Sequence, residues 1–259
     1  HDKCIIFEKN SYSAGHVNTD ERGEYFWDEG PHISFTKSKY VKDLFMSSTE
    51  TNKFDVKAGN YFKGVIINHP AQNHLNQLPK KIRDKIIDDF IKTRKTKIPK
   101  VFLNYEEWCN YAFGKLFTKT FTKPYTLKYW NCDPSELGVD WIGNRIYFPK
   151  IKDVIDGSKF TPKNSNNYIQ QVIYPKKGGF RSFTDLFVKG ANLKTNKEVT
   201  NIDLENRIIS FSDNDEFKYD KLISTIPLDK FVILTNLGEK LYSVSKMLNC
   251  TSLLLVNIE

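Results

Sequence analysis

The sequence predicts an α/β protein in which both ends of the chain form one sheet-containing domain and the middle forms a mainly helical domain. The run from Cys4 to Phe7 is short, apolar and rich in strand formers, as expected of a buried parallel strand. The middle of the chain has helical periodicity without alternating strands. From Ala191 onward, short apolar runs separated by Asn and Asp turns indicate strands again. We therefore predict one domain from residues 1–36 and 191–259 and a second from residues 37–190.

The residues that follow the first strand have an order typical of a nucleotide site. Glu8 ends the strand, and a carboxylate in that position can accept hydrogen bonds from two ribose hydroxyls at once. Gly15 allows a positive φ or a close approach of backbone to a ligand. Gly30-Pro31 then makes a rigid turn that places His32 beside the same ligand. Each residue alone fits a solvated charge or an ordinary turn, so the prediction depends on their order.

The glycine fingerprint of such a site is expected upstream of the first residue. G-x-G-x-x-G precedes the acid by roughly 20 residues in dinucleotide-binding folds. The one pair of adjacent glycines, Gly178-Gly179, lies far downstream of Glu8. The sequence therefore predicts a partial Rossmann-like domain without its first βα unit. We expect these 259 residues alone to bind a dinucleotide weakly, because the helix N-terminus that faces the pyrophosphate is absent.

Charge and cysteine content limit the partners and the compartment. The formal net charge is +8, but the lysines are interspersed with 31 acids, and the densest basic patch, residues 92–100, ends a helix. We interpret this patch as a solvated face that could attract a phosphorylated small molecule, and we predict no nucleic-acid partner. No apolar run approaches the roughly 18 to 20 residues of a membrane span. Four scattered cysteines favour reduced thiols in a cytoplasmic protein.

In the middle region, Pro79 favours a helix start because its missing N–H is unpaired there anyway. Asn104, with Glu107 three residues later, is typical of a capping box. Ala58-Gly59-Asn60 is typical of a hairpin turn between two apolar runs. His69 and His74 have no third ligand nearby, so we predict no metal site. The predicted elements are helices at 38–46, from 79, after 104 and at 141–145, and strands at 54–57 and 61–68.

The C-terminal region is predicted to begin with a β-meander. Its strands are 199–204, 208–211 and 216–219, with polar turns between them. A buried strand at 222–226, ended by Pro227, follows the meander. We then predict a helix at 237–248 and a strand at 251–258.

Longer segments of the chain resemble a known family. In order, they are KCIIFEKNSYSAGH with the later GPHI, HPAQNHLNQLPKKIRD, EEWCNYAFGKLFTKTFTKPYTLKYWNCDPSELGVDWIGNRI, and IYPKKGGFRSFTDLF. Together they resemble FAD-dependent amine oxidoreductases, which include protoporphyrinogen oxidases and UDP-galactopyranose mutases. The motif order is most similar to the mutases. This resemblance covers most of the chain, and it implies a further C-terminal segment, with substrate-domain elements and a Gly-rich part that reaches the flavin, which we expect to be absent from these residues.

The resemblance implies FAD as the cofactor and assigns roles to particular residues. His32 would face the flavin. Arg145 would face the active site and meet the phosphates of a nucleotide-sugar, because a guanidinium can contact phosphate oxygens in a bidentate way. The family usually has Gly where this chain has Ala14, and many amine oxidases have Arg at the position of His16. The residues implied to contact FAD are Glu8, Lys9, Gly15, His16, Gly30, Pro31, Val199 and Thr225.

Three functions stay open on these residues. The first is an FAD-dependent oxidoreductase that transfers hydride from an unassigned small molecule. The second is a mutase-like isomerisation of a nucleotide-sugar ring by reduced flavin, without net redox change. The third is a non-catalytic relative that binds a nucleotide or a partner protein. The aromatic residues Tyr125, Tyr129 and Trp130 are interpreted as packing residues, with stacking on a base or sugar as the alternative.

Overall fold

A computed structural model describes residues 4–143, 145–162, 169 and 171–258 of the protein. The chain divides into two compact units, one of residues 1–53 and 173–259 and the other of residues 54–172. The strands are β1 (Ile5–Phe7), β2 (Thr19–Arg22), β3 (Tyr25–Asp28), β4 (Thr51–Asp55), β5 (Gly59–Phe62), β6 (Val65–Asn68), β7 (Gln171–Pro175), β8 (Asn192–Lys194), β9 (Val199–Asp203), β10 (Ile208–Phe211) and β11 (Glu216–Lys218). The helices are α1 (Lys39–Ser48), α2 (Lys80–Arg94), α3 (Tyr105–Phe113), α4 (Lys115–Phe117), α5 (Lys123–Trp130), α6 (Ile151–Lys159), α7 (Asp185–Lys189), α8 (Leu228–Thr235) and α9 (Glu239–Ser245).

The first unit contains the predicted parallel strand and the predicted meander, but the parallel strand is not buried as predicted, since Ile6 is 48% exposed. β1 pairs in parallel with β8, with Ile5 opposite Asn192 and Phe7 opposite Lys194. β9, β10 and β11 form an antiparallel sheet in the order β11-β10-β9. β2 and β3 form a hairpin. Helix α1 begins after Ser38, whose hydroxyl accepts the Val41 N–H, and this confirms the predicted helix.

A small core holds the first unit together around the segment after β7. Phe183 is completely buried, and its ring stacks on Phe45 of α1 at 4.7 Å between centroids. The ring of Phe180 packs edge-on against Phe183 at 5.2 Å. This cluster also includes Ile173, and Val17 and Tyr174 pack against it. The segment that follows Gly178-Gly179 is therefore anchored by apolar burial.

Two predicted strands in this unit are wrong. Residues 222–226 and 251–258 are not strands, and Ile223 is 90% exposed while Leu254 is 87% exposed. An extended segment becomes a strand only when a neighbouring segment exchanges backbone hydrogen bonds with it. Within the described residues, no segment does so at either place. The predicted helix at 237–248 is shorter, as α9, and α8 precedes it without having been predicted.

The second unit is mainly helical, and its core lies between α2, α3 and α6. The two helix starts follow the predicted signals: α2 follows Pro79, and Asn104 caps α3 by accepting the Glu107 N–H at 3.0 Å. Helices α4 and α5 are joined by a π-helical turn at residues 118–122. The buried apolar residues of this core are Ile67, Ala71, Leu75, Leu78, Ile86, Phe90, Tyr105, Cys109, Ala112, Phe113, Phe117, Ile142 and Val154.

The hairpin of the second unit turns at a different place from the predicted one. β5 and β6 pair around Lys63-Gly64, and both of these residues have positive φ, as a tight two-residue hairpin requires. The second apolar run therefore folds on itself. Residues 58–60 make no hairpin turn, because β4 pairs with β7 instead.

The predicted helix at 141–145 is also absent, because the described residues there form consecutive turns. No helix in the described part of the chain has the length and apolar character needed to cross a membrane.

Candidate functional site

Glu8 lies at the carboxyl end of β1, beside β8. Its backbone N–H donates to the Lys194 carbonyl at 2.9 Å, and its carbonyl accepts the Lys197 N–H at 2.9 Å. Its Oε1 accepts the Asn10 N–H at 2.8 Å, which closes the turn after the strand. Oε2 has no partner within the described residues, and the side chain is half-buried. Glu8 is therefore a fixed carboxylate with one oxygen available to a donor.

Val199 lies close to this strand end through a contact between neighbouring rings. Phe7, the residue before Glu8, packs on Phe211 at 4.7 Å between ring centroids. Phe211 is the cross-strand partner of Val199 in the β9–β10 pair, at a register irregularity. The structure therefore brings Glu8 and Val199 into one neighbourhood, as the family resemblance implies for the adenosine end of FAD.

The loop after Glu8 passes through an unfavourable backbone conformation. Ala14 has φ 84° and Gly15 has φ 52°, and both values lie in the left-handed region that L side chains avoid. No atom lies within 4 Å of where a Cβ on Gly15 would be. His16 is exposed and lies 3.6 Å from Glu29, measured between Nδ1 and Oε2. Gly15 therefore leaves open space beside the segment that leads to Gly30.

The Gly30-Pro31-His32 turn fixes the imidazole of His32 in one orientation. The His32 N–H donates to the Gly30 carbonyl at 2.9 Å, and the ring Nδ1 lies 3.1 Å from the same oxygen. Because a carbonyl only accepts, Nδ1 carries the proton in this contact. In the neutral ring Nε2 is then the remaining acceptor. The ring packs against Phe180 at 5.2 Å between centroids, so it is half-buried.

Asp28, which the sequence analysis did not single out, receives more hydrogen bonds than any predicted site residue. Its Oδ1 accepts from the Thr19 hydroxyl at 2.6 Å and from the Phe180 N–H at 3.0 Å. Its Oδ2 accepts from the Tyr174 hydroxyl at 2.5 Å. Burial, followed by this hydrogen bond to Asp28, raises the pKa of Tyr174, which keeps the phenol protonated. The available sequence signal was the Gly178-Gly179 pair, whose loop carries Phe180.

A cavity of about 480 Å³ opens beside the β2–β3 hairpin in the first unit. Its wall includes Tyr12, Asn18, Asp20, Trp27, Glu29 and Arg181. The Tyr12 hydroxyl donates to Glu29 at 3.4 Å, and the charge of Glu29 is the main cause that raises the pKa of Tyr12. An Arg181 N–H donates to the Asn18 side-chain oxygen at 3.4 Å. Carboxylates and aromatic rings together suit a ligand with hydroxyl groups or a positive charge.

The other predicted site residues are not brought into this group by any contact in the described part of the chain. Lys9 is exposed, and its ammonium makes no ion pair there. Thr225 is exposed in the segment that is not a strand. Arg145 belongs to the second unit, where it is exposed and its N–H donates to the Ile142 carbonyl at 2.8 Å.

The second unit carries a row of exposed aromatic rings. Tyr125 and Tyr129 lie one helical turn apart on α5 and stack at 5.6 Å between centroids. Trp130 packs edge-on against Tyr129 at 5.1 Å and lies 6.0 Å from Trp141. Tyr125 is 62% exposed and Tyr129 is 59% exposed, so these rings are not core residues. Only Tyr125 and Tyr129 are stacked face to face, and Trp130 and Trp141 are inclined to their neighbours.

The parallel strand pair, the acid that ends β1 and the Gly30-Pro31-His32 turn are typical of dinucleotide-binding α/β proteins. A family model described as flavin containing amine oxidoreductase matches residues 1–246. The chain belongs to this family. The resemblance found in the sequence is thereby confirmed, and the cofactor of the family is a flavin, as expected.

Solved structures have the same fold. A reduced UDP-galactopyranose mutase matches with a TM-score of 0.84 at 21% identity, over 93% of this chain and 54% of that chain. A protoporphyrinogen oxidase candidate from Exiguobacterium sp. matches with a TM-score of 0.60 at 13% identity, over 92% of this chain and 57% of that one. A CLA-producing fatty acid isomerase from P. acnes matches with a TM-score of 0.55 at 13% identity, over 93% of this chain and 57% of that chain. The chain therefore spans little more than half the length of these proteins.

The residues present fit the adenosine end of FAD. The free oxygen of Glu8 lies at the carboxyl end of a parallel strand, where ribose hydroxyls are bound in this class of fold. The space beside Gly15 would be reduced by any side chain. The acceptor on Glu8 and the open backbone at Gly15 are therefore compatible with an adenosine group on this side.

Proposed function

We propose that the protein is an FAD-dependent oxidoreductase of the amine oxidase superfamily that acts on a small molecule. The observation that carries this proposal is the half-buried carboxylate of Glu8, with one oxygen held by Asn10 and the other free, in a chain of this family. A cytoplasmic location, which the four unpaired cysteines favour, is part of the proposal.

In this proposal the two ends of the chain bind FAD and the middle binds the substrate. The proposed FAD domain is residues 1–36 and 191–259 and the proposed substrate domain is residues 37–190, of which residues 37–53 and 173–190 pack in the same compact unit as the FAD domain. Glu8 accepts hydrogen bonds from the adenosine ribose, and Val199 meets the adenine through its backbone. The residues that line the rest of the cofactor are Lys9, Gly15, His16, Gly30, Pro31 and Thr225. When bound, FAD supplies an acceptor for the hydride that the substrate loses.

His32 is the proposed catalytic residue of the first unit. Its Nδ1 proton is engaged by the Gly30 carbonyl, so Nε2 is the atom that can accept a proton or a hydroxyl hydrogen bond from the substrate. Packing on Phe180 prevents the ring from turning away. His32 therefore orients the substrate and can hold a proton at Nε2.

A second candidate function is ring isomerisation of a nucleotide-sugar. The exposed guanidinium of Arg145 and the stacked rings of Tyr125 and Tyr129 favour it. A guanidinium offsets the charge of a diphosphate through bidentate contacts, and an aromatic face stacks on a base. Arg145 and the rings would thus hold the nucleotide while the sugar reacts. The third alternative, a non-catalytic relative, would bind a nucleotide without turnover.

The test is an absorbance spectrum of the protein expressed from its complete gene, recorded before and after dithionite and with UDP-galactose added to each state. Bound oxidised flavin without conversion of UDP-galactose supports the oxidoreductase. Conversion only after reduction would establish the mutase-like function instead. A protein that never contains flavin would contradict both enzymatic functions and leave the non-catalytic one.

A matched pair of variants tests the observation about Glu8. Glu8→Gln removes the charge that accepts the ribose hydroxyls, and we expect FAD binding about tenfold weaker, the effect of losing a hydrogen bond to a charged group. Glu24→Gln changes an exposed carboxylate near the β2–β3 turn and should leave FAD binding unchanged. Equal affinity in Glu8→Gln and the wild type would reject Glu8 as the ribose ligand.

A further inference from the structure

We propose that Asp28 is a positioning residue that sets the orientation of the His32 ring through Phe180. The proposal rests on the function proposed above, in which His32 faces the flavin and the substrate. Asp28 also lines the cavity beside the β2–β3 hairpin, but both of its carboxylate oxygens accept hydrogen bonds from protein groups, so it acts through another residue rather than on a ligand. The argument follows from where its hydrogen bonds go.

The carboxylate of Asp28 joins two loops that are distant in sequence. On its own hairpin it accepts from Thr19, which is 2% exposed. From the segment after β7 it accepts from the Phe180 N–H and the Tyr174 hydroxyl. The Thr19 oxygen in turn accepts the Arg181 N–H at 3.2 Å. The Asp28 carboxylate therefore accepts three hydrogen bonds and the Thr19 hydroxyl accepts a fourth. Three of the four come from residues 174–181 and hold that segment against the β2–β3 hairpin.

The two loops meet without space between them. A Cβ on Gly179 would lie 2.2 Å from Cγ2 of Thr19 and 2.8 Å from Oδ1 of Asp28. Such distances are far inside van der Waals contact. The peptide before Phe180 is thus held at one position relative to Asp28, by close packing as well as by hydrogen bonds.

His32 depends on both sides of this junction. On one side, the Gly30 N–H donates to the Asp28 carbonyl at 2.7 Å, and Gly30 in turn accepts both the backbone N–H and the Nδ1 proton of His32. On the other side, the His32 ring packs on Phe180, whose N–H is donated to the Asp28 carboxylate. Residue 28 is therefore the common support of the turn that carries the imidazole and of the ring that it packs against.

A carboxylate suits this position better than an amide does. All three groups around it donate, and an ionised carboxylate is a pure acceptor with enough lone pairs for three donors. An Asn side chain of the same shape can turn its NH₂ group toward the Tyr174 hydroxyl, which accepts as well as donates, but it holds the Phe180 N–H with a neutral oxygen. A hydrogen bond to a neutral oxygen is weaker than one to a carboxylate, so Asn loosens Phe180 and leaves the backbone hydrogen bonds of residue 28 unchanged.

The experiment is an NMR measurement of the histidine Cε1–Hε1 cross-peaks in the cofactor-free protein, at one fixed pH. His32→Gln assigns the His32 peak, and Phe180→Leu gives the shift expected when the aromatic neighbour is lost. In Asp28→Asn we expect the His32 peak to move at least half as far as it does in Phe180→Leu. Asp20→Asn, which changes a carboxylate paired with Arg22 on the same hairpin, should leave it in place.

Two readouts separate positioning from general loosening of the fold. The His16 peak, from the same unit, should stay in place in Asp28→Asn, because His16 contacts Glu29 and not Phe180. If Asp28→Asn does not fold, Tyr174→Phe removes one donor and should move the His32 peak in the same direction. A His32 peak that stays in place in a folded Asp28→Asn or Tyr174→Phe variant overturns the proposal. Because no flavin is present, failure of FAD binding would not affect this result.

Discussion

Thr19 of β2 and Gly179 of the loop after β7 are packed so closely that glycine is the only residue that fits. A Cβ on Gly179 would lie 2.2 Å from Cγ2 and 2.4 Å from Oγ1 of Thr19, and the φ of Gly179 is +67°. Since both the space and the backbone angle exclude a side chain, we expect Gly179→Ala to lower the free energy of unfolding by at least about 2 kcal/mol. Urea denaturation followed by circular dichroism measures this.

The matched control for that substitution is Gly190→Ala. Gly190 has φ −102°, and a Cβ there meets no atom within 4 Å. The free energy of unfolding of Gly190→Ala should stay within about 0.5 kcal/mol of that of the wild type. If both variants lose the same stability, the packing of Thr19 against Gly179 is not the cause.

Ala14 is the position at which a glycine should stabilise the protein. Its φ of 84° costs a residue with a Cβ about 1–2 kcal/mol, whereas the additional freedom of glycine in the unfolded chain costs roughly 0.4–1 kcal/mol. We expect Ala14→Gly to raise the free energy of unfolding by about 0.5–1 kcal/mol. Thermal denaturation should show a higher midpoint than the wild type.

An alanine with an ordinary backbone provides the comparison. Ala58 is exposed and is not among the residues with positive φ in the described chain. Ala58→Gly gains no relief of strain, so it should be neutral or destabilising. Stabilisation by Ala58→Gly of the same size as by Ala14→Gly would contradict the explanation based on φ.

Acid should destabilise the second unit through His69. Partial burial, and then the nearby His74, lower the pKa of His69 below its usual value of about 6.5, although part of the residue stays exposed to solvent. Below that value the unfolded chain binds a proton that the folded chain resists, so the free energy of unfolding falls as pH decreases from about 6.5 toward the folded pKa. We expect His69→Gln to have a shallower decline than the wild type between about pH 7 and 5. Urea titrations at each pH measure the free energy of unfolding of both proteins.

The range above about pH 7.5 is the control for this pH dependence. The imidazole of His69 is neutral there in both the folded and the unfolded chain, so the wild type and His69→Gln should have parallel stability curves. An unchanged slope in His69→Gln would mean that other groups account for the acid sensitivity.

The N-terminus of α3 should depend on one amide side chain. Asn104 accepts the Glu107 N–H at 3.0 Å, and the Glu107 carboxylate accepts the Leu103 N–H at 2.9 Å. Asn104→Ala should cost about 1 kcal/mol of stability, whereas Asn104→Asp keeps an acceptor and should cost little. Chemical denaturation of the two variants measures their free energies of unfolding. Equal losses of stability in Asn104→Ala and Asn104→Asp would contradict a capping role for Asn104.

Local signals predicted the parts of the fold that depend on local physics. The start of α1, the cap of α3, the start of α2 and the three strands of the meander lie where turn chemistry and periodicity place them. Residues 222–226 have the composition of a buried strand, but a strand also needs a neighbour, which composition does not specify. The turn at Lys63-Gly64 was missed because Lys63 adopts a positive φ, which is uncommon for lysine and so was not predicted from its residue type.

Only the site residues that belong to local sequence patterns could be predicted. Glu8 and His32 follow recognisable local patterns, and the structure gives each one a defined partner. Asp28 is one carboxylate among several on an acidic hairpin, and only the approach of Tyr174 and Phe180 from the far end of the chain distinguishes it. Contacts over such sequence separations are set by packing, which no local pattern encodes.

The exposed segment near the end of the described chain has a practical consequence. Leu253, Leu254 and Val256 are 75%, 87% and 72% exposed, and no charge or proline interrupts residues 251–258. Uncharged β-prone segments of this kind pair with copies of themselves. Solutions of these 259 residues should therefore lose monomer through aggregation as concentration rises, even where each folded unit remains intact.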